Sequence, residues 1–178
     1  MKKVIDELIK SRKMTAIYEN GAEAGSFHVG VILAQNSDWI LECNIGIHGE
    51  EDGYSAEKTE NIYRVETESL YLRKLEKLSA IKLPDCIKTD DPVEFLLDMA
   101  KRKKLVAAVT VREYGNDIFG FIDGYDSELV RMTQLNDMGE YDGETVFLRQ
   151  EILRLCADDA DCRDICCLTG DGNGKTRA

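Results

Sequence analysis

The stretch FGFIDGYDSELVRMTQLNDMGEYDGETVFLRQEILRL, Phe119–Leu155, repeats the pattern of Val29–Val65 at a constant displacement: 120 − 30, 142 − 52 and 152 − 62 all equal 90. Identities fall at Gly30/Gly120, Ile32/Ile122, Ser37/Ser127, Gly49/Gly139, Glu50/Glu140, Asp52/Asp142, Gly53/Gly143, Ile62/Ile152 and Arg64/Arg154. These are nine matches in 37 ungapped positions, where ordinary composition gives roughly two by chance. A period of this length marks a duplicated structural unit. The 178 residues therefore divide into two modules of about 90, each able to bury a core of its own.

Each copy begins with helical spacing. Residues 2–13 place Val4, Ile5, Leu8 and Ile9 on one face, with Lys10, Arg12 and Lys13 at the C-terminal end, where cations suit the helix dipole. Pro92–Lys104 repeats the design, with Asp91 as N-cap, Pro92 as the first helical residue, and Val93, Leu96, Leu97 and Ala100 inward. The basic clusters read as solvated helix ends. Runs suited to strands follow in matching pairs: Met14–Glu19 and Leu105–Arg112, Phe27–Gln35 and Ile118–Tyr125, Trp39–Asn44 and Leu129–Leu135. Tyr54–Thr59 and Glu144–Arg149, then Ile62–Val65 and Ile152–Cys156, complete them. Each module reads as one helix followed by five short antiparallel strands.

The joints are turn-like. Asn20–Ser26 and Glu113–Asp117 link the first two strands, and the copies differ there by one residue, because Met14 aligns with Leu105 at 91. The loops GIHGEEDG and NDMGEYDG precede the fourth strands, and two-residue turns at Glu60-Asn61 and Gln150-Glu151 precede the fifth. Gly124 suits a bulge where a small barrel turns its corner. Between the modules, Glu66–Asp90 contains ESLYLRKLEKLSAIKLP, in which Leu70, Leu75 and Leu78 suit one face of a helix while SLYLRKL equally suits the extension of a strand. The tail from Ala157 reads as having no counterpart in the first copy. The expected domains are 1–78, a linker 79–91, 92–157, and a Cys- and Asp-rich, partly disordered tail 158–178.

Composition narrows the function. A formal charge of −11 disfavours sequence-independent binding to nucleic acid or to anionic membranes, both of which depend on Lys and Arg. No apolar run approaches the roughly 20 residues that span a bilayer, so no membrane partner is expected. MKKVIDELIK lacks the apolar region of a signal peptide, and a cytoplasmic location is expected. Six cysteines fit reduced thiols in that compartment.

The stretch Phe119-Gly120-Phe121-Ile122-Asp123-Gly124-Tyr125-Asp126 resembles the first motif of the Sm and Sm-like RNA-associated proteins, Gly-x-apolar-x-Gly-aromatic-Asp on their second strand. Leu129, Val130 and Met132 are similar to their third strand, and Phe147-Leu148-Arg149 followed by Ile152 to their second motif. The resemblance covers about 50 residues of the second copy and, more faintly, the same span of the first. It implies a mainly β fold with short helices: two tandem, diverged Sm-like (SH3-like) five-stranded barrels, each preceded by a helix. It also implies RNA or nucleotide contacts at Tyr125, Asp126 and Arg149. The base-reading asparagine of the family is absent from Asp126-Ser127-Glu128-Leu129-Val130, and its Arg-Gly is Arg149-Gln150. The first copy carries Gln35 and Asn36 where the second has Tyr125 and Asp126.

Other motifs carry less. GDGNGKT, from Gly170, has three residues between Gly170 and Gly174 where a phosphate loop needs four, and no helix is expected after it. Cys156, Cys162, Cys166 and Cys167 lack a C-x2-C hook and read as free thiols on a short terminal helix. His28 and His48 correspond to Ile118 and Met138, so the framework does not need imidazole. Glu50, Asp52, Glu140 and Asp142 read as turn chemistry, and Trp39, aligned with Leu129, as core. No metal or cofactor is expected, and no nucleophile–base pair emerges. The expected function is a non-catalytic oligomeric scaffold or protein-interaction module, homo-oligomeric through strand edges. The alternative is RNA or nucleotide binding, which the net charge disfavours.

Overall fold

The computed structural model describes residues 1–20, 25–79, 85–112 and 117–170. Parts of the two expected first turns, residues 80–84, and the phosphate-loop-like segment from 171 lie outside them. The protein is mainly β, with ten antiparallel strands and four short helices among the described residues. It forms two compact units, Met1–Phe95 and Leu96–Ala178.

In the first unit, α1 (Lys2–Ser11) leads into β1 (Thr15–Glu19), β2 (His28–Gln35), β3 (Trp39–Ile45), β4 (Glu51–Lys58), β5 (Ile62–Thr67) and α2 (Leu70–Leu78). α3 (Pro92–Lys103) contains the division between the units and precedes β6 (Val106–Val111), β7 (Asp117–Tyr125), β8 (Leu129–Leu135), β9 (Tyr141–Leu148), β10 (Ile152–Ala157) and α4 (Ala160–Leu168). The strand orders are β5-β1-β2-β3-β4 and β10-β6-β7-β8-β9, so neither unit's order closes on itself. Within each unit the five strands stand in an open order, where the resemblance led us to expect a bent five-stranded barrel. The sheet is nevertheless strongly curled. A three-residue 3-10 turn, Thr59–Asn61, joins β4 to β5, which stand at opposite ends of the order. In a flat sheet they would be about 19 Å apart laterally, beyond the roughly 14 Å that four residue steps can reach.

The register refines the repeat. Thr15 pairs with Gly30 and Ala107 with Gly120, so the first strands correspond at 107 − 15 = 92, not at 91. Two residues were lost or gained between the first and second strands. Register shifts recur at Ile32/Ala34 and Ile122/Gly124, and at Cys43/Ile45 and Thr133/Leu135. The bulge beside Gly124 thus has an alanine in the first copy, and the bend does not depend on glycine. Both fourth strands begin three residues earlier than the sequence suggested, taking in Asp52-Gly53 and Asp142-Gly143.

The open choice at residues 70–78 resolves as helix, and the tail does have a counterpart: 160 − 70 and 168 − 78 both equal 90. Ser69 caps α2 by accepting from the Leu72 amide at 3.3 Å, and Asp159 caps α4 by accepting from the Cys162 amide at 2.8 Å. Leu72 and Leu75 are buried, as are their counterparts Cys162 and Ile165. Glu68 and Asp158, 90 apart, both adopt positive φ (59° and 62°) just before these helices. The helices share length, cap position and inward face, but only two of nine residues, Arg73/Arg163 and Leu78/Leu168, are identical, and neither lies on the buried face. We expect Asp159→Ala to lower stability by about 1 kcal/mol in urea unfolding, and Ser69→Ala, with its longer bond, by less.

Gly49 and Gly139 are identical because both helices press on them. Their φ values are 84° and 72°, and a Cβ would stand 2.8 Å from Leu75 O in one copy and 2.9 Å from Ile165 O in the other. In the first unit α1 packs Ile5 and Leu8 against Ile17, Ile32, Ile40 and Ile62. In the second, α4 packs Cys162 and Ile165 against Val106, Ala108, Leu135 and Cys156. By register Ala108 corresponds to Ala16, on the face opposite Ile17, so helices cover both faces of the repeated sheet. That is why β2 is buried along its length instead of alternating. The segment Asp85–Asp91, expected as linker, lies along the first unit: Ile87 N donates to Leu33 O at 3.2 Å and Asn36 Nδ2 to Asp90 O at 3.1 Å.

Candidate functional site

The three residues singled out by sequence gather at one corner of the second unit. Tyr125 ends β7, and Asp126 opens the turn to β8. Arg149 N donates to Glu128 O at 2.8 Å, which brings the 3-10 turn Arg149–Glu151 onto the same corner. The Asp126 carboxylate is engaged there. Its Oδ1 accepts from the amides of Glu128 and Leu129, both at 2.8 Å, and those bonds hold its pKa below the usual carboxylate value. Asn36 makes the same bonds to Asp38 and Trp39 at 2.9 and 2.8 Å. Closing the hairpin is therefore a role of this position in both copies. Trp39, expected in the core, is half-buried, with Lys58 Nζ 5.7 Å from its ring centroid.

The tail thiols diverge. Cys156 and Cys162 are buried in the second core, Cys166 is half-buried and Cys167 is exposed. Burial, reinforced by Asp159, pushes the Cys162 thiol far above its ordinary pKa.

Two surface features stand out. β9 is the last strand of its unit's order, and it exposes Tyr141 (67%), Val146 (55%) and Leu148 (46%). The first-copy counterparts are Glu51, Ala56 and Lys58. In the first unit, Tyr18 and Phe27 lie 5.2 Å apart, Tyr18 and Tyr63 6.2 Å, and Phe27 and Tyr71 5.6 Å, with Arg64 4.5 Å above the Tyr18 ring. Phe27, Tyr63 and Tyr71 are exposed.

A third feature lies inside the first unit. Register places Glu42 beside Ile32 on β2 and Ser55 on β4, and Ile40 beside Glu57. These side chains share the face of the isoleucine core. Glu42 and Glu57 are both 0% exposed, and Ser55 is buried with them. His28 Nε2 lies 2.8 Å from Glu42 Oε1 and 3.7 Å from Glu57 Oε2. Ser55 Oγ lies 2.9 Å from Glu42 Oε1 and 3.0 Å from Asn44 Oδ1, with one proton to donate to either. One ligand atom from each of Glu19, His28 and Glu57 falls within 4.8 Å of the others. Glu19 and His28 are only half-buried and connect the group to solvent.

Sequence reasoning set His28 aside and passed over Glu19, Glu42 and Glu57. The signal was present in the comparison of copies: the corresponding residues are Val111, Ile118, Met132 and Phe147, all apolar. Aligning the first strands at 91 put Glu19 opposite Thr110 and concealed the fourth member. Comparison with protein-family models, curated proteins and solved structures gives no match to this chain.

Proposed function

We propose that the chain is a non-catalytic, self-associating scaffold made of two diverged Sm-like units. The leading helix, the strand order, the curl imposed by the β4–β5 turn, and the Gly-x-apolar-x-Gly-aromatic-Asp stretch on β7 support a barrel-type reading of each unit. The observation that carries self-association is β9. It is an end strand of eight residues with three large apolar side chains in water, and an exposed edge of this kind is a template for pairing with another chain. A second copy's β5, an end strand of the first unit's order, is the complementary edge.

Light scattering across a concentration series tests the reading. The wild-type chain is expected to form a closed oligomer, and Val146→Lys/Leu148→Glu to weaken it by at least about tenfold in Kd with its circular dichroism unchanged. A wild-type chain that stays monomeric at the highest concentration would overturn it.

Binding of single-stranded RNA or a nucleotide is the second reading, and the exposed aromatics around Arg64 favour it, since bases stack on such groups. An oligonucleotide titration at low salt, lost in Tyr63→Ala and unchanged in Val146→Lys, would select it over the first.

A further inference from the structure

We infer that Glu19, His28, Glu42 and Glu57 form a site for one divalent transition ion of the zinc or manganese class. The site is independent of self-association. Four consecutive strands each supply one member: β1 Glu19, β2 His28, β3 Glu42 and β4 Glu57. The 3.7 Å between His28 Nε2 and Glu57 Oε2 approaches the roughly 3.4 Å between two ligand atoms held about 2.1 Å from a tetrahedral ion. Glu19, His28 and Glu57 each place one ligand atom within 4.8 Å of the others, so a contraction of up to about 1.4 Å brings these three to ligand spacing. Glu42 stands outside that group and reaches it through His28 Nε2, 2.8 Å from its Oε1.

Glu42 supplies a second, separate observation. Its side chain is wholly buried, yet Oε2 has no hydrogen-bond partner among the described residues. A buried carboxylate oxygen without a donor is unfavourable, and a cation is the partner that carboxylates of this kind accept. Gly30 makes the room: a Cβ there would stand 2.4 Å from Glu42 Oε2. The donor set selects the ion. Calcium and magnesium take oxygen ligands alone, whereas one imidazole among carboxylates suits zinc, manganese or ferrous iron.

The second unit shows what these positions do without such chemistry. Val111, Ile118, Met132 and Phe147 fill the same places on the same face with apolar side chains. In the first unit an ion would tie the four strands together where the second uses hydrophobic contact. Its role is structural, a rivet through β1–β4.

The test uses the full chain, stripped with a chelator and titrated with Zn²⁺, Mn²⁺ and Ca²⁺ by calorimetry and thermal melting. The expected result is one Zn²⁺ or Mn²⁺ per chain, with a melting midpoint raised by roughly 5–10 °C at a hundredfold excess over Kd, and no response to Ca²⁺. Co²⁺ spectra separate this site from the tail cysteines, because thiolate ligation adds an intense near-ultraviolet band that imidazole and carboxylate ligation lacks. Glu19→Val/His28→Ile/Glu42→Met/Glu57→Phe, which copies the second unit, is expected to fold and to lose the metal-dependent shift. Single His28→Gln is expected to weaken binding at least tenfold. No stoichiometric binding by the wild-type chain, a thiolate-type cobalt spectrum, or an unchanged shift in the fourfold variant would each overturn the proposal.

Discussion

Gly120→Ala is expected to lower the stability of the second unit by about 3 kcal/mol or more, among the largest effects of a single methyl group. Gly120 pairs with Gln134 across β7 and β8. A Cβ there would lie 2.1 Å from the Thr133 carbonyl oxygen and 3.0 Å from its carbon. Both obstacles are backbone, held by strand pairing on both sides, so relief requires the two strands to separate. Gly30→Ala is a useful contrast, since its nearest obstacle is the Glu42 carboxylate at 2.4 Å, with the Cys43 carbonyl farther off at 3.1 Å. A side chain can turn away where a strand cannot. Guanidinium unfolding should therefore rank Gly120→Ala as the more damaging, and a Gly120→Ala protein within about 1 kcal/mol of wild type would refute the close approach.

Leu75→Ala is expected to cost about 2–5 kcal/mol, the range for deleting a fully buried leucine. Leu75 is 0% exposed on α2, and its carbonyl presses on Gly49. The loss combines removed apolar area with a cavity that a helix pinned by its cap and by this glycine contact cannot easily close. Ile165→Ala is expected to behave in the same way in the second unit, because it occupies the equivalent place on α4. Leu70→Ala is the control: that side chain is 84% exposed, and a surface change of this kind stays within about 0.5 kcal/mol. If urea unfolding shows Leu75→Ala and Leu70→Ala alike, α2 is not part of the folded unit.

Much of the strand plan was legible, because alternation and turn residues act locally. Leu129–Leu135 could be read to the residue, and the other strands to within three. The helical ends of the repeat were less legible. α2 and α4 share the position of an N-cap and of two inward residues, but the residues are Ser69 and Asp159, Leu72 and Cys162, Leu75 and Ile165. Different side chains satisfy the same cap and the same core, so the likeness lies in place and not in letter. Of the candidate site, His28 stands out by residue type, but its counterpart Ile118 argued against a role, and Asp126 could be seen with its hairpin-closing bonds hidden. A charged residue at an inward strand position shows in the sequence only as a mismatch with its apolar counterpart, and its burial depends on what covers the sheet.

Read alone, the chain of residues determined that one unit occurs twice, that each copy is a helix followed by five short antiparallel strands, and where most of those strands lie. Duplication, alternation and turn chemistry act over a few neighbours and survive in the letters. Only the tertiary structure decided that the sheets curl without closing their order, that each unit ends in a second helix, and that Glu19, His28 and Glu57 meet with Glu42 against His28. Those outcomes depend on register and on contacts between strands far apart along the chain, and a one- or two-residue shift in alignment is enough to hide them.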